Sequence, residues 1–193
     1  NEINSARREF LHLLSGIGFV NKKVAGTLDA AHWLTSDMNK NSKNWPVIHA
    51  VVCAGLSPNY ARLDRNGSTP FLYQEKERIS FHSSSINASK KKFRSDEEWV
   101  VFHEKFATPG RTSVSRCCFI SPLPLLLFAQ SVTVEHTERL VVVDDWMKVP
   151  MPAQTSVTLD ELRRHLDGLL QRLVQDTDSV DKNLLNSIAE ILD

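Results

Sequence analysis

The chain has 193 residues, 41% of them hydrophobic, which suits one medium domain or two small ones with a buried core and excludes a disordered tail. Its longest apolar run, residues 122–129, falls far short of the roughly 20 residues a membrane-spanning helix needs, and no signal-type segment opens the chain, so a soluble, cytoplasmic protein is expected. Net charge is zero, yet residues 1–118 hold 17 Lys and Arg against 11 Asp and Glu while residues 119–193 hold 6 against 12, a division suited to meeting phosphate with one part and protein with the other.

In chain order, residues 5–14 read as a helix with Phe10, Leu11, Leu13, Leu14 and Ile17 as an apolar stripe ended by Gly16 and Gly18; so abrupt a start suggests an excised fragment. A polar stretch, residues 36–43, leads to Asn44-Trp45-Pro46, where Asn44 can cap a second helix and Pro46 is tolerated in its first turn. That helix is expected to turn Trp45, Ile48, Val51 and Val52 inward and to stop at Gly55.

Beyond Gly55 the period becomes that of strands, with candidates at residues 60–64, 71–73, 78–82, 99–105, 113–121 and 140–143, and Asn66-Gly67 and Pro109-Gly110 as turns. Half a dozen short strands in this length suit a five-stranded barrel, although a small sandwich gives the same pattern. Thr158-Leu159-Asp160-Glu161 then has the form of a capping box before Leu159, Leu162, Leu166, Leu169, Leu170 and Leu173. A last helix from about residue 180, capped by Asp178 or Ser179, carries Leu184, Leu185, Ile188, Ile191 and Leu192. These leucines either pack against the barrel and first helices or leave a face for a partner.

Chemistry-bearing patterns are missing. No phosphate loop of the GxxxxGK[ST] type occurs, the glycines never form GxGxxG, there is no GxSxG elbow, and His103-Glu104 lacks the second histidine of HExxH. Cys53, Cys117 and Cys118 make an odd set without metal-ligand spacing, and Cys117 and Cys118 on a strand would face opposite sides, one of them into the core. Adjacent Asp144 and Asp145 would diverge on a strand, which favours a solvated or partner-paired face over a metal site. No catalytic residue, metal or cofactor is therefore expected in this chain.

Four segments in order carry a resemblance. Ala54-Gly55-Leu56-Ser57-Pro58-Asn59, Ile79-Ser80-Phe81-His82-Ser83-Ser84-Ser85, Trp99-Val100-Val101-Phe102-His103-Glu104-Lys105 with Thr108 and Arg116, and Val143-Asp144-Asp145-Trp146 together resemble the C-terminal region of the DEAH/RHA-type RNA helicases. Ser57 stands where that family usually has tyrosine, and Ser83 where it has proline. Residues 39–45 and Arg116-Cys117-Cys118 are most similar to the branch of the meiotic YTH-domain helicase and the insect benign gonial cell neoplasm protein.

The resemblance implies an α+β fold, an OB-like small β-barrel flanked by an N-terminal helical segment and two C-terminal helices. It implies the end of a helicase-associated (ratchet) domain at residues 1–52, the OB fold at 53–150 and terminal helices at 151–193. The function implied is RNA binding within a helicase-like translational regulator of the germ line, with the upstream helicase core as a partner in cis and ATP and Mg²⁺ confined to that core. Single-stranded RNA would be held by Lys90, Lys91, Lys92 and Arg94, with Phe93 interleaved, and by His82, Ser84, Arg111 and Arg116. Each has a plainer reading: a solvated basic loop, serines serving their own backbone, and Arg116 paired with a carboxylate. The alternative function is a platform that recruits a regulatory protein through Asp144, Asp145 and Trp146 beside the leucine-rich helices, with no independent RNA role.

Overall fold

The computed structural model describes residues 2–20, 39–64, 71–176 and 182–192. Helix α1, Glu2–Gly16, buries Leu11 and Ser15, whereas Phe10, Leu13 and Ile17 of the expected stripe stand exposed. Helix α2, Trp45–Leu56, starts as its sequence requires: the Asn44 side-chain oxygen accepts from the Val47 N–H at 3.2 Å. Its contact face differs from expectation. Ala50 and Cys53 are buried, Val52 and Leu56 border the contact, and Trp45 and Val51 remain in solvent. The one-turn spacing of Ala50 and Cys53 puts small residues at the contact, where they let helix backbones approach closely.

Strands β1 (Tyr60–Asp64), β2 (Phe71–Gln74), β3 (Glu77–Phe81), β4 (Trp99–Thr108) and β5 (Arg111–Ile120) close into a barrel in the order β1-β2-β3-β5-β4. Tyr60 opposite Val101 joins β1 to β4, and β3 runs parallel to β5 with Ser80 opposite Ser113. Five strands closed in this way form the OB architecture that the resemblance implies, and they decide against a sandwich. Gly110, at φ +80°, turns the chain tightly between Thr108 and Arg111 with Pro109 before it. Inside the barrel lie Ala61, Leu63, Leu72, Ile79, Phe81, Val100, Phe102 and Val114.

A second core covers one outer face of the barrel. It is built from helix α3 (Pro122–Phe128), strands β6 (Val132–Glu135), β7 (Leu140–Val143) and β8 (Met147–Pro150), and helices α4 (Ala153–Gln175) and α5 (Lys182–Leu192). Cys53, Tyr60, Trp99, Val101 and Ile120 meet Leu125, Val141, Val143, Met147, Leu159 and Leu166 there. Residues 140–143, read with the barrel strands from periodicity, are instead the middle strand of the separate β6-β7-β8 sheet. A strand that pairs along both edges and one that closes a barrel share the same alternation, so the pattern does not separate them.

The expected capping box is also displaced. Helix α4 begins at Ala153, behind Pro152, and Thr158 lies inside it with its hydroxyl donating to the Gln154 carbonyl at 3.1 Å. Leu159, Leu166 and Leu169 are buried, and Leu170 is largely exposed. Arg163 ties α4 to α3: its guanidinium donates to the Leu126 and Ala129 carbonyls at 2.6 and 2.8 Å, meeting the free carbonyls of the α3 C-terminus. Burial pulls the Arg163 pKa down, with Asp167, Asp144 and Asp160 opposing the shift. Asn66-Gly67, Asp178 and Ser179 lie outside the described residues, as do the side chains of Leu184, Leu185 and Ile191.

Cys117 packs against the barrel interior and Cys118 against the second core, so both neighbouring thiols are half-buried on opposite sides of one wall. Burial pushes the Cys53 thiol up to about 12, burial together with Cys118 does the same to Cys117, and burial also raises Cys118. Burial thus disfavours the thiolate form of all three. Among the described residues no helix is long and apolar enough to cross a membrane, and no group of three or more His, Cys, Asp or Glu is placed to hold a metal ion.

Candidate nucleic-acid interface

The face of the barrel away from the second core is formed by β3, β5 and the outer half of β4. Its composition follows from an interruption in β5. Val114, then Cys117 and Phe119, contact the barrel interior, so successive inward positions are three apart across Arg116 instead of two. Arg116 itself sits at φ +51°, in the left-handed region where a residue with a Cβ costs about 1–2 kcal/mol. The paired position on β4, His103, is the one gap in an otherwise continuous β4–β5 ladder. This change of face puts Ser113 and Ser115, both buried under their neighbours, on the outer side with Ser80 of β3 and His82 just after it, and Glu104 and Phe106 on the same side.

Several predicted residues meet on that face. The His82 and Phe106 rings are 5.1 Å apart, tilted by 39°. His82 Nδ1 accepts from the Ser84 N–H at 3.2 Å and lies 2.7 Å from the Ser84 hydroxyl, so the neutral ring carries its proton on Nε2. Arg111 donates through Nε to the Ser80 hydroxyl at 3.1 Å. Arg116 pairs with Glu104 at 3.1 Å, and the Ser115 hydroxyl donates to the other Glu104 oxygen at 2.8 Å. Together His82, Ser84, Ile86, Glu104, Phe106 and Arg116 border an open concavity of about 340 Å³. Phe106, Ile86 and Glu104 were not singled out from sequence as candidates for this face. Their signal, an exposed aromatic two positions beyond a carboxylate on a strand, becomes legible only once the change of face at Arg116 is known.

The basic run divides. Glu97 is 8% exposed and gathers the loop after β3: Lys90 Nζ donates to both its oxygens at 2.7 and 2.8 Å, and the Arg94 backbone N–H donates at 2.7 Å. Burial alone would raise the Glu97 carboxyl, but the Lys90 ammonium, the Arg94 N–H and both positive charges outweigh it and hold its pKa below the ordinary value. Lys90 also lies over the Phe93 and Phe119 rings, at 4.9 and 5.6 Å from their centroids. Phe93 stacks on Phe81 at 5.9 Å, so it closes the barrel end and offers no free platform. Lys91, Lys92 and Arg94 are exposed, Arg94 reaching Asp96 at 3.3 Å.

The acidic turn lies elsewhere, at the β7–β8 connection. Asp144 and Asp145 are both left-handed, at φ +47° and +64°, and turn the chain so that the Trp146 N–H reaches the Val143 carbonyl. Asp144 accepts from the Ser131 N–H at 2.6 Å and its own N–H donates to the Ser131 carbonyl, so it clasps β6 to the turn. Asp145 is exposed. Trp146 stacks on buried Tyr60 at 6.3 Å and borders a cleft of about 500 Å³ that also touches Arg62, Tyr73, Trp99 and Lys148.

Comparison with known proteins matches both parts of this architecture. Residues 48–132 match the oligonucleotide/oligosaccharide-binding (OB)-fold family, and residues 139–193 match the C-terminal domain in RNA helicases. The chain is 33% identical over 184 residues to the DExH-box ATP-dependent RNA helicase DExH4, chloroplastic, of Arabidopsis thaliana, covering 88% of this chain and 13% of that protein. It is 27% identical over 188 residues to the ATP-dependent DNA/RNA helicase DHX36 of Homo sapiens (94% and 18%), and 28% identical over 193 residues to the DExH-box ATP-dependent RNA helicase DExH1 of Arabidopsis thaliana (96% and 18%). The chain thus spans less than a fifth of the length of these curated relatives. It is a homologue of the DExH helicases and carries their C-terminal OB-fold region.

Proposed function

We propose that this chain binds single-stranded RNA on the β3–β5–β4 face of its barrel, as an auxiliary part of a helicase-like protein. The observation that carries the reading is the joining of a ring pair, half-buried His82 and exposed Phe106, to the cations Arg111 and Arg116 on one open face. Lys91, Lys92 and Arg94 of the adjoining loop supply further charge for phosphate, while Ser84 is held by His82 at the edge. Lys90 contributes mainly by holding the loop in place through Glu97. ATP and Mg²⁺ would act only in a helicase core outside this chain, which the chain would contact in cis. The likeness of residues 39–45 and Arg116-Cys117-Cys118 to the branch of the meiotic YTH-domain helicase supports a role as a cytoplasmic translational regulator in germ cells.

Fluorescence anisotropy with a labelled single-stranded RNA tests this. Binding in the micromolar range is expected, weakening about fiftyfold between 50 and 200 mM salt if four phosphates are engaged. The double substitution Lys91→Glu, Lys92→Glu should abolish it without unfolding the protein, because Lys90, Arg94 and Glu97 stay intact. Unchanged affinity would overturn the reading.

A second reading rests on the β7–β8 turn. Asp145 and Trp146, fixed in place by the Asp144 clasp, stand at the mouth of the Trp99–Trp146 cleft, a surface suited to a regulatory protein partner. Loss of a captured partner on Asp145→Lys with Trp146→Ala, with RNA affinity unchanged, would support it. Loss of the same partner on nuclease treatment would count against it.

A further inference from the structure

We propose that the concavity bordered by His82, Ser84, Ile86, Glu104, Phe106 and Arg116 is a subsite for one unpaired guanine. The inference rests on the RNA-binding reading and deepens it, because it says what part of the RNA enters and which base is preferred.

The concavity is built for a base and not for a phosphate. Its charge is balanced: the Arg116 guanidinium is 3.1 Å from the Glu104 carboxylate, and a phosphate entering would meet that carboxylate. Its lining is mostly polar, but two side chains offer flat or aliphatic surface. Phe106 is 41% exposed and in ring contact with His82, and Ile86 is 90% exposed at the rim, so a base has a face to lie on and an aliphatic edge to cover it. The volume of about 340 Å³ is large enough to admit one base.

The choice of base follows from the acceptor. A carboxylate accepts hydrogen bonds at about four lone-pair positions, and Glu104 spends two of them on the Ser115 hydroxyl and Arg116. Those two partners fix its orientation and leave acceptor capacity toward the concavity. Guanine alone presents two neighbouring donors, N1–H and N2–H, on its Watson–Crick edge, with the O6 acceptor next to them. Glu104 can take both donors while Arg116, already beside it, donates to O6. Adenine and cytosine would place a ring-nitrogen acceptor against the carboxylate, and uracil would place a carbonyl oxygen on each side of its single N–H. The left-handed backbone at Arg116 gains a role here: without it, β5 would keep the alternation set by Cys117 and Phe119, and Ser115 with its partner Glu104 would turn toward the barrel interior.

The test measures anisotropy of the 193-residue chain with four labelled RNA 12-mers: all-uridine, and all-uridine with one central guanosine, adenosine or inosine. A single guanosine is expected to tighten binding about tenfold over uridine or adenosine, the scale of one bidentate base contact. Inosine, which lacks the N2 amino group, should lose most of that gain. Glu104→Gln should remove the guanosine preference while all-uridine binding persists, and Phe106→Ala should weaken all four. Uridine binding without a guanosine preference, or inosine equal to guanosine, overturns the subsite and leaves general RNA binding standing. Absence of binding to any 12-mer overturns both. The inosine arm compares ligands on the unaltered protein, so it decides the matter even if a variant folds poorly.

Discussion

The two halves of β4 are one continuous strand with opposite duties. Trp99, Val100, Val101 and Phe102 are all buried, Val100 and Phe102 in the barrel and Trp99 and Val101 in the second core. From His103 onward the same strand is open to solvent on one side and carries Glu104 and Phe106. The first half holds two hydrophobic cores together through a single wall; the second half displays chemistry. The pivot is the His103–Arg116 position, where pairing lapses and β5 turns left-handed. Rigidity and display are thus divided along the strand, so damage to one half should be separable from damage to the other.

The largest effect expected from breaking this comparison is at Phe102, which is 1% exposed inside the barrel. Phe102→Ala should cost about 3–4 kcal/mol through the cavity it leaves, seen as a lower urea midpoint, with RNA affinity unchanged in the fraction still folded. Phe106→Ala, four residues on, should do the reverse: little change in midpoint and a clear loss of RNA affinity. Equal stability costs at the two positions would erase the distinction between the halves.

A smaller effect tests how the loop beside the open half is held. Lys90→Ala strips a mostly buried carboxylate of its strongest partner and should cost about 1–2 kcal/mol at pH 7, less than for a fully buried pair because the lysine is partly solvated. The pH dependence has a definite sign. Glu97 has a folded pKa below its ordinary 4.5, so the pair's contribution is present above that value and fades as pH falls through the lowered folded value. The difference between wild type and Lys90→Ala in urea midpoint should therefore be full at pH 7 and shrink below about pH 4. A constant gap down to pH 3 would mean that Glu97 is not what Lys90 serves.

Which of these features the sequence disclosed depends on whether they are local. Asn44 as a cap, Pro109-Gly110 as a turn and the apolar runs of β1 to β5 are written in a few adjacent residues, and they appear where expected. Helix α3 was missed because Pro124, Leu125, Leu126 and Leu127 are all buried, and a helix buried on every side has no polar face to mark its period. Strands β6 and β8 were missed because each is only four residues long and is stabilised by pairing with β7. At the site, the run of Lys90 to Arg94 read as one patch. Its division into a structural lysine and exposed neighbours depends on Glu97 folding back and on Phe93 finding Phe81 and Phe119, which no local pattern reveals.

The smallest effect, and the most informative about the pivot, is at Arg116. Arg116→Ala removes an exposed ion pair worth about 0–1 kcal/mol and keeps a Cβ in the left-handed region. Arg116→Gly removes the same ion pair but also removes that Cβ, gaining about 1–2 kcal/mol in the folded state against about 0.5–1 kcal/mol from the greater freedom of glycine in the unfolded chain. Glycine should therefore be the more stable of the two variants by about 0.5 kcal/mol, although glycine in a strand is ordinarily the weaker choice. Both should lose guanosine-containing RNA equally, since the guanidinium is gone from each. If alanine proves the more stable, β5 straightens when the arginine is removed and the left-handed turn is a consequence of the Arg116–Glu104 pair. If glycine does, the turn belongs to the barrel, and the pair is built on top of it.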